Sequence, residues 1–94
     1  MPSSPKLSRR FFVSGQVQGV GFRWFVEKSA RSIGVDGFTR NLDDGRVEVY
    51  AIGTPEQLDT LAGLLLKGPR WAEVRHVEQR EEPVLKYSGF HIEH

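Results

Sequence analysis

The chain has 94 residues, of which 38% are hydrophobic and 27% are charged, and its net charge at pH 7 is +1. These values predict one globular domain, and they exclude both a disordered chain and a protein drawn to nucleic acid or membranes by its bulk charge. Because there is no cysteine, a disulfide framework, a thiolate nucleophile and a cysteine-ligated metal centre are excluded as well.

The amino terminus is predicted to be a flexible tail over residues 1–7, followed by a single domain over residues 8–94. The tail lacks the apolar region of a signal peptide, and no apolar run in the chain approaches the roughly 20 residues of a membrane helix. We therefore expect a cytoplasmic protein without a membrane partner. Residues 1–47 carry 8 basic and 4 acidic groups, which favours a small positively charged site in this half.

The first half of the chain predicts a strand, a glycine-rich loop and a helix. Residues 8–14 are rich in strand-forming side chains, and residues 15–21 contain three glycines. From Phe22 onward apolar residues recur with helical spacing, so a helix is predicted to begin there and to end at Gly34. Its apolar face consists of Phe22, Phe25, Val26, Ala30 and Ile33.

A hairpin and a second helix follow. Strands over residues 35–42 and 46–52 flank a tight turn, Asp43-Asp44-Gly45. Thr54 and Gln57 have the spacing of a helix-starting capping box, with Pro55 between them at the first helical position. The apolar face of this helix consists of Leu58, Leu61, Ala62 and Leu65.

The remainder of the chain predicts two further strands. Gly68-Pro69 ends the second helix, residues 71–80 form a strand candidate, residues 81–83 form a turn, and alternating residues 88, 90 and 92 indicate a short last strand. The order β-α-β-β-α-β plus a terminal strand predicts an α+β two-layer sandwich, in which two helices cover one face of an antiparallel sheet.

The junction between the first strand and the first helix is the main candidate site. Its three glycines let successive N–H groups converge, and the loop leads into a helix N-terminus with unpaired amides and partial positive charge. This arrangement suits phosphate, and Arg23 lies in the first helical turn, where a cation is unfavourable unless an anion is bound. The spacing alone leaves a purely structural alternative open, in which the glycine-rich turn serves only to allow close packing.

Other polar and aromatic residues have simpler interpretations. Asn41 precedes a hairpin turn, and taken alone it is better interpreted as a turn-capping residue. Trp24 and Trp71 are interpreted as packing or rim residues rather than as stacking platforms. The three histidines do not have the spacing of a shared metal site.

The segments Gly15-Gln-Val-Gln-Gly-Val-Gly-Phe-Arg23 and Gly34-Val-Asp-Gly-Phe-Thr-Arg-Asn41-Leu-Asp-Asp-Gly-Arg-Val-Glu48 resemble the two signature segments of the acylphosphatases, which hydrolyse the mixed anhydride of a carboxylic acid and phosphate. The resemblance extends over residues 8–92 and implies a ferredoxin-like fold. It implies that Arg23 binds phosphate and that Asn41 positions the attacking water. It also implies a phosphate loop made of the backbone amides of Gln16, Val17, Gln18, Gly19, Val20, Gly21, Phe22 and Arg23.

The resemblance further implies a metal-independent enzyme without a cofactor, a monomer that acts on a small-molecule acyl phosphate. One alternative is a non-catalytic domain that binds an acyl or carbamoyl phosphate, similar to the N-terminal part of larger carbamoyl-phosphate-using maturation proteins. A nucleic-acid-binding module of the same topology is disfavoured, because its central strand would offer only one aromatic residue, Tyr50, and the net charge is almost zero.

Overall fold

A computed structural model of the chain describes residues 5–94, in which five strands and two helices alternate. The elements are β1 (Leu7–Gln16), α1 (Phe22–Ile33), β2 (Asp36–Asn41), β3 (Val47–Gly53), α2 (Pro55–Lys67), β4 (Glu73–Glu82) and β5 (Phe90–Glu93). Residues 1–4 of the predicted tail lie outside the described residues. Of its other three residues, Leu7 is already part of β1.

The strands form one sheet in the order β4-β1-β3-β2-β5. Every neighbouring pair is antiparallel except β2 and β5, which are parallel, so the prediction of an entirely antiparallel sheet was wrong at this edge. The direction of β5 follows from where β4 ends in the sheet. Ser8 is opposite both Glu82 and Ile52, and Ile52 is opposite Asp36, so β4 ends where β2 begins. A strand that starts again from this end must run in the direction of β2.

The connection from β4 to β5 crosses the helix-free face of the sheet. The predicted turn over residues 81–83 was misplaced, because β4 continues to Glu82 and residues 83–89 form an irregular crossover. The Tyr50 hydroxyl donates a hydrogen bond to the Pro83 carbonyl (2.7 Å) and accepts one from the Leu85 N–H (2.9 Å). Tyr50 is fully buried beneath this crossover. It was the one aromatic residue that the strand could have offered for stacking on nucleic-acid bases, and it is not accessible for that role.

Both helices form where local sequence signals predict them. The bounds of α1 match the prediction, and its Gly34 cap donates a backbone hydrogen bond to Ala30. In α2 the Thr54 side chain accepts from the Gln57 N–H while the Gln57 side chain accepts from the Thr54 N–H, so the capping box is confirmed. The predicted apolar faces of the helices pack on Val47, Val49 and Ala51 of β3, which places the core between the helices and the sheet.

A buried carboxylate connects the three central strands on the opposite face. Glu48 of β3 is 4% exposed and accepts hydrogen bonds from Arg10 of β1 and Arg40 of β2, each at 2.5 Å. Burial by itself lowers the pKa of Arg10, but hydrogen bonds to Glu82 and Glu48 outweigh that effect and raise it. Glu48 thus has two charged partners, as a carboxylate removed from water requires.

Gly37 of β2 is predicted to be essential for stability. Its φ is +139°, and a Cβ there would lie 1.9 Å from the Tyr50 carbonyl oxygen of β3. We expect Gly37→Ala to lower the free energy of unfolding by about 2 kcal/mol or more in urea denaturation, because strain and a displaced strand both contribute. The control is Gly63→Ala on the exposed side of α2, where no atom would contact the new methyl group. That substitution should stabilise the protein by about 0.5–1 kcal/mol, and similar effects at the two positions would show that β2 and β3 tolerate a side chain between them.

Candidate active site

A cavity of about 230 Å³ lies at the end of the sheet where β1, β2 and β5 finish. The structure brings Arg23, Asn41 and the glycine-rich loop together there, although Arg23 and Asn41 come from different elements. The lining residues are Val17, Gly19, Gly21, Phe22, Arg23, Trp24, Asn41, Ile92 and His94. Of the predicted loop residues, Gln16 is still the last residue of β1, so the irregular loop comprises residues 17–21.

The loop is anchored at both ends and turns sharply between them. Val17 and Phe22 are each 1% exposed and belong to the core. Gly19 and Gly21 have φ values of 75° and 77°, in the left-handed region that side chains other than glycine disfavour. Gly21 is also the N-cap of α1, and no side chain caps this helix. Of the three glycines predicted to allow a curled backbone, Gly19 and Gly21 lie in the loop, whereas Gly15 lies in β1.

The amides of this segment are unpaired. Within residues 5–94, no backbone or side-chain acceptor binds the N–H groups of residues 18–24, and the first bond of the helix runs from the Phe25 N–H to the Gly21 carbonyl (3.0 Å). The first turn of α1 contains no acidic residue. Unpaired amides at a helix N-terminus carry partial positive charge and attract anions.

Arg23 adds a full positive charge to this end of the helix. Its Nη1 donates to the Glu93 carbonyl at 3.3 Å and lies 3.3 Å from Nδ1 of His94, so β5 holds the guanidinium at the cavity. No Asp or Glu side chain in the described part of the chain forms an ion pair with it. The charge is consequently free to bind an anion beside the loop amides.

Asn41 is the last residue of β2, and its side chain lines the cavity. Its Oδ1 is buried and is the one buried side-chain nitrogen or oxygen without a hydrogen-bond partner among residues 5–94. An acceptor in this state is costly unless a donor from water or a ligand reaches it.

The interpretation of Asn41 as a turn-capping residue was wrong, because another side chain has that role. Asp44 accepts from the Arg46 N–H (3.1 Å) and from the Arg46 guanidinium (2.9 Å). The backbone bond, followed by the guanidinium, lowers the pKa of Asp44. The hairpin turn is therefore closed without Asn41, whose carboxamide is left for the cavity.

Two residues at the site, and the side-chain contact of a third, were not predicted from the sequence. His94 and Ile92 reach the cavity only because β5 pairs with β2, a long-range contact without a local signal. The side chain of Gln18 bonds to the β2–β3 hairpin, which no spacing rule indicates. Trp24 and Trp71 are 60% and 62% exposed, so neither is packed in the core, and of the two only Trp24 lines the cavity.

No group of three or more His, Cys, Asp or Glu residues in the described ranges is arranged to hold a metal ion. Likewise, neither of the two helices within residues 5–94 is long and apolar enough to cross a membrane.

Comparisons with known proteins agree on one family. A family model described as acylphosphatase matches residues 9–92. An acylphosphatase of Solibacter usitatus is 52% identical over 89 residues, which cover 95% of this chain and 93% of that protein. The crystal structure of an acylphosphatase from Bacillus subtilis has a TM-score of 0.89 and 35% identity, with 94% of this chain and 99% of that chain covered. The structure of the Coxiella burnetii acylphosphatase has a TM-score of 0.90 and 36% identity, with 94% and 93% covered.

The free amides and Arg23 predict binding of inorganic phosphate. We expect millimolar phosphate to raise the melting temperature of the wild type, because a ligand at 100 times its Kd stabilises the folded state by about 2.7 kcal/mol. In Arg23→Ala the shift should largely disappear. Arg80→Ala is the control, since it removes the same charge from a side chain on β4 that is 57% exposed. Equal shifts in the two variants would place the anion elsewhere.

Proposed function

The chain belongs to the acylphosphatase family, and from this premise we propose that it hydrolyses acyl phosphates to a carboxylate and inorganic phosphate. The observation that carries the proposal is the cavity in which unpaired loop amides, the unopposed charge of Arg23 and the unpaired oxygen of Asn41 meet. A phosphoryl group has the charge and size for the first two features, and a water molecule has the donors for the third.

The reaction balances as R–CO–O–PO₃²⁻ + H₂O → R–COO⁻ + H₂PO₄⁻. The oxygen of water forms a bond to phosphorus while the bond between phosphorus and the bridging oxygen breaks. The leaving carboxylate belongs to an acid with a pKa of about 4, so it departs without protonation. A site without a general acid is therefore sufficient.

In the proposed site, Arg23 and the amides of residues 16–23 bind the phosphoryl oxygens. Phosphoryl transfer has a loose transition state, for which catalysis consists mainly of positioning and charge stabilisation. A guanidinium fork can bind two oxygens at once, and one contact near 4 Å is worth about 4 kcal/mol per unit charge at an effective dielectric of 20. The amides contribute donors that are fixed before the reaction begins.

Asn41 orients the attacking water in this proposal. Its oxygen accepts a hydrogen bond from the water, which leaves a lone pair of the water directed at phosphorus. The proton released on attack passes to a phosphoryl oxygen and leaves with the phosphate. A monomeric state and a cytoplasmic location stay predictions from the sequence.

Two substitutions test these roles directly. In the presence of EDTA, the wild type should hydrolyse benzoyl phosphate, Arg23→Ala should lose nearly all turnover, and Asn41→Ala should lower kcat by about 10²–10³, the typical cost of losing a preorganised polar contact. The release of phosphate is measured at saturating substrate, with Arg80→Ala as the charge-matched control.

Full activity in Arg23→Ala or Asn41→Ala would contradict the residue roles. A wild type that binds phosphate at the loop without hydrolysing any acyl phosphate would contradict catalysis itself. The alternative of a non-catalytic domain for acyl or carbamoyl phosphate would then replace the proposal.

The absence of a general acid from the proposed mechanism predicts selectivity for the leaving group. An alkyl phosphate monoester would have to expel an alkoxide, which requires the protonation that general acids supply with a contribution of about 10²–10⁴ in rate. We expect kcat/KM for such an ester to be lower than for benzoyl phosphate by at least this factor. Comparable rates for the two substrates would show that an acid operates at the site.

A further inference from the structure

The side chain of Gln18 joins the loop to the β2–β3 hairpin. Its Nε2 donates to the Leu42 carbonyl at 2.7 Å and to the Arg46 carbonyl at 2.9 Å. A carboxamide nitrogen carries two protons, so both are used. Leu42 directly follows Asn41, and Arg46 directly precedes β3, which means that Gln18 bonds to the two carbonyls between which the turn closes. The Leu42 N–H in turn donates to the Arg46 carbonyl (2.8 Å).

The loop has few other restraints between its buried ends. Its amides make no internal hydrogen bonds, and Gly19 has no atom within 4 Å of where a side chain would begin. In residues 5–94, the two bonds from Gln18 are the only hydrogen bonds between residues 17–21 and the hairpin residues 42–46. The distance from the loop amides to Asn41 therefore depends on this one side chain together with the general packing of the sheet.

We infer that Gln18 is a positioning residue that sets the distance between the phosphate held by the loop and the water held by Asn41. This inference rests on the proposed function. The side chain donates to the backbone of the hairpin and touches neither reacting group, so it acts through Asn41. A displacement of 1 Å between reacting groups can cost about 10²-fold in rate, and a flexible glycine loop would permit such displacements.

The test begins with Gln18→Met, which keeps the length of the side chain and removes both donors. We expect kcat for benzoyl phosphate to fall about tenfold. The melting temperature should stay within a few degrees of the wild-type value, because Gln18 is exposed and outside the core. The matched control is Gln79→Met on β4, an exposed residue whose amide oxygen accepts one long hydrogen bond (3.4 Å) from Arg9. That variant should keep wild-type kcat. A Gln18→Met enzyme within twofold of the wild type overturns the inference.

A double-mutant cycle separates positioning from a purely structural effect. If Gln18 acts through Asn41, removing its donors in an Asn41→Ala background should lower kcat by less than twofold further, because the group being positioned is already gone. A second full tenfold loss in that background overturns the inference while leaving the role of Asn41 intact. The residual activity of Asn41→Ala, about 10²–10³ below the wild type, is sufficient for this comparison.

A readout that needs no turnover completes the test. Amide NMR spectra are recorded during titration with inorganic phosphate. In the wild type, phosphate should shift the amides of residues 17–23 and, through Gln18, those of residues 42–46. In Gln18→Met the loop should still respond, and the hairpin should not. A hairpin response that is equal in both proteins overturns the inference. Because this measurement needs no turnover, it can be interpreted even if the protein hydrolyses no acyl phosphate. A lack of hydrolysis would contradict the proposed function but not the role of Gln18 in linking the loop to the hairpin.

Discussion

The site depends on one electrostatic imbalance at the start of α1. The N-cap of the helix is Gly21, so no side chain caps it, its first amides are unpaired, and Arg23 adds a full charge where the helix dipole is already positive. No Asp or Glu side chain in the described residues forms an ion pair with Arg23. An isolated helix would be destabilised by this arrangement, and a bound anion would relieve it. In the proposed function, binding of a phosphoryl group would restore the balance that ordinary helices obtain from a capping residue.

The sheet brings the other residues of the site to this end of α1. Because β1, β2 and β5 all finish at the same end, the loop, Asn41 and the β5 carbonyl that binds Arg23 meet there, although they are far apart in the chain. On the helix-free face, Glu48 connects β1, β3 and β2 through two arginines. The strands that carry the loop and Asn41 are therefore held at a fixed distance by charge on one face and by the apolar core on the other.

Local features of the sequence predict more of this molecule than long-range ones. The bounds of α1 and the capping box of α2 follow from apolar spacing and caps within a few residues, so they match the structure. The parallel pairing of β5 and the crossover over residues 83–89 depend on which edge the chain reaches, which no local pattern specifies. At the site, glycine spacing and Arg23 indicated an anion, whereas the position of Asn41 alone pointed to the turn. Its assignment to the cavity came from the family resemblance, and the bonds of Gln18 to a hairpin 24 residues away had no signal at all.

The contact between Arg23 and the Glu93 carbonyl has a consequence for the order in which the molecule assembles. Gly37 and Phe90 are opposite each other although 53 positions separate them, so docking of β5 closes one of the longest chain segments in the fold. Contacts of this kind form slowly, because the entropy of closing the chain segment is lost before the favourable contacts form. The helix that carries Arg23 belongs to the first elements in chain order, but its guanidinium gains this partner only when the last strand arrives. The proposed site therefore has its Arg23 contact only in a chain whose last strand has joined the sheet.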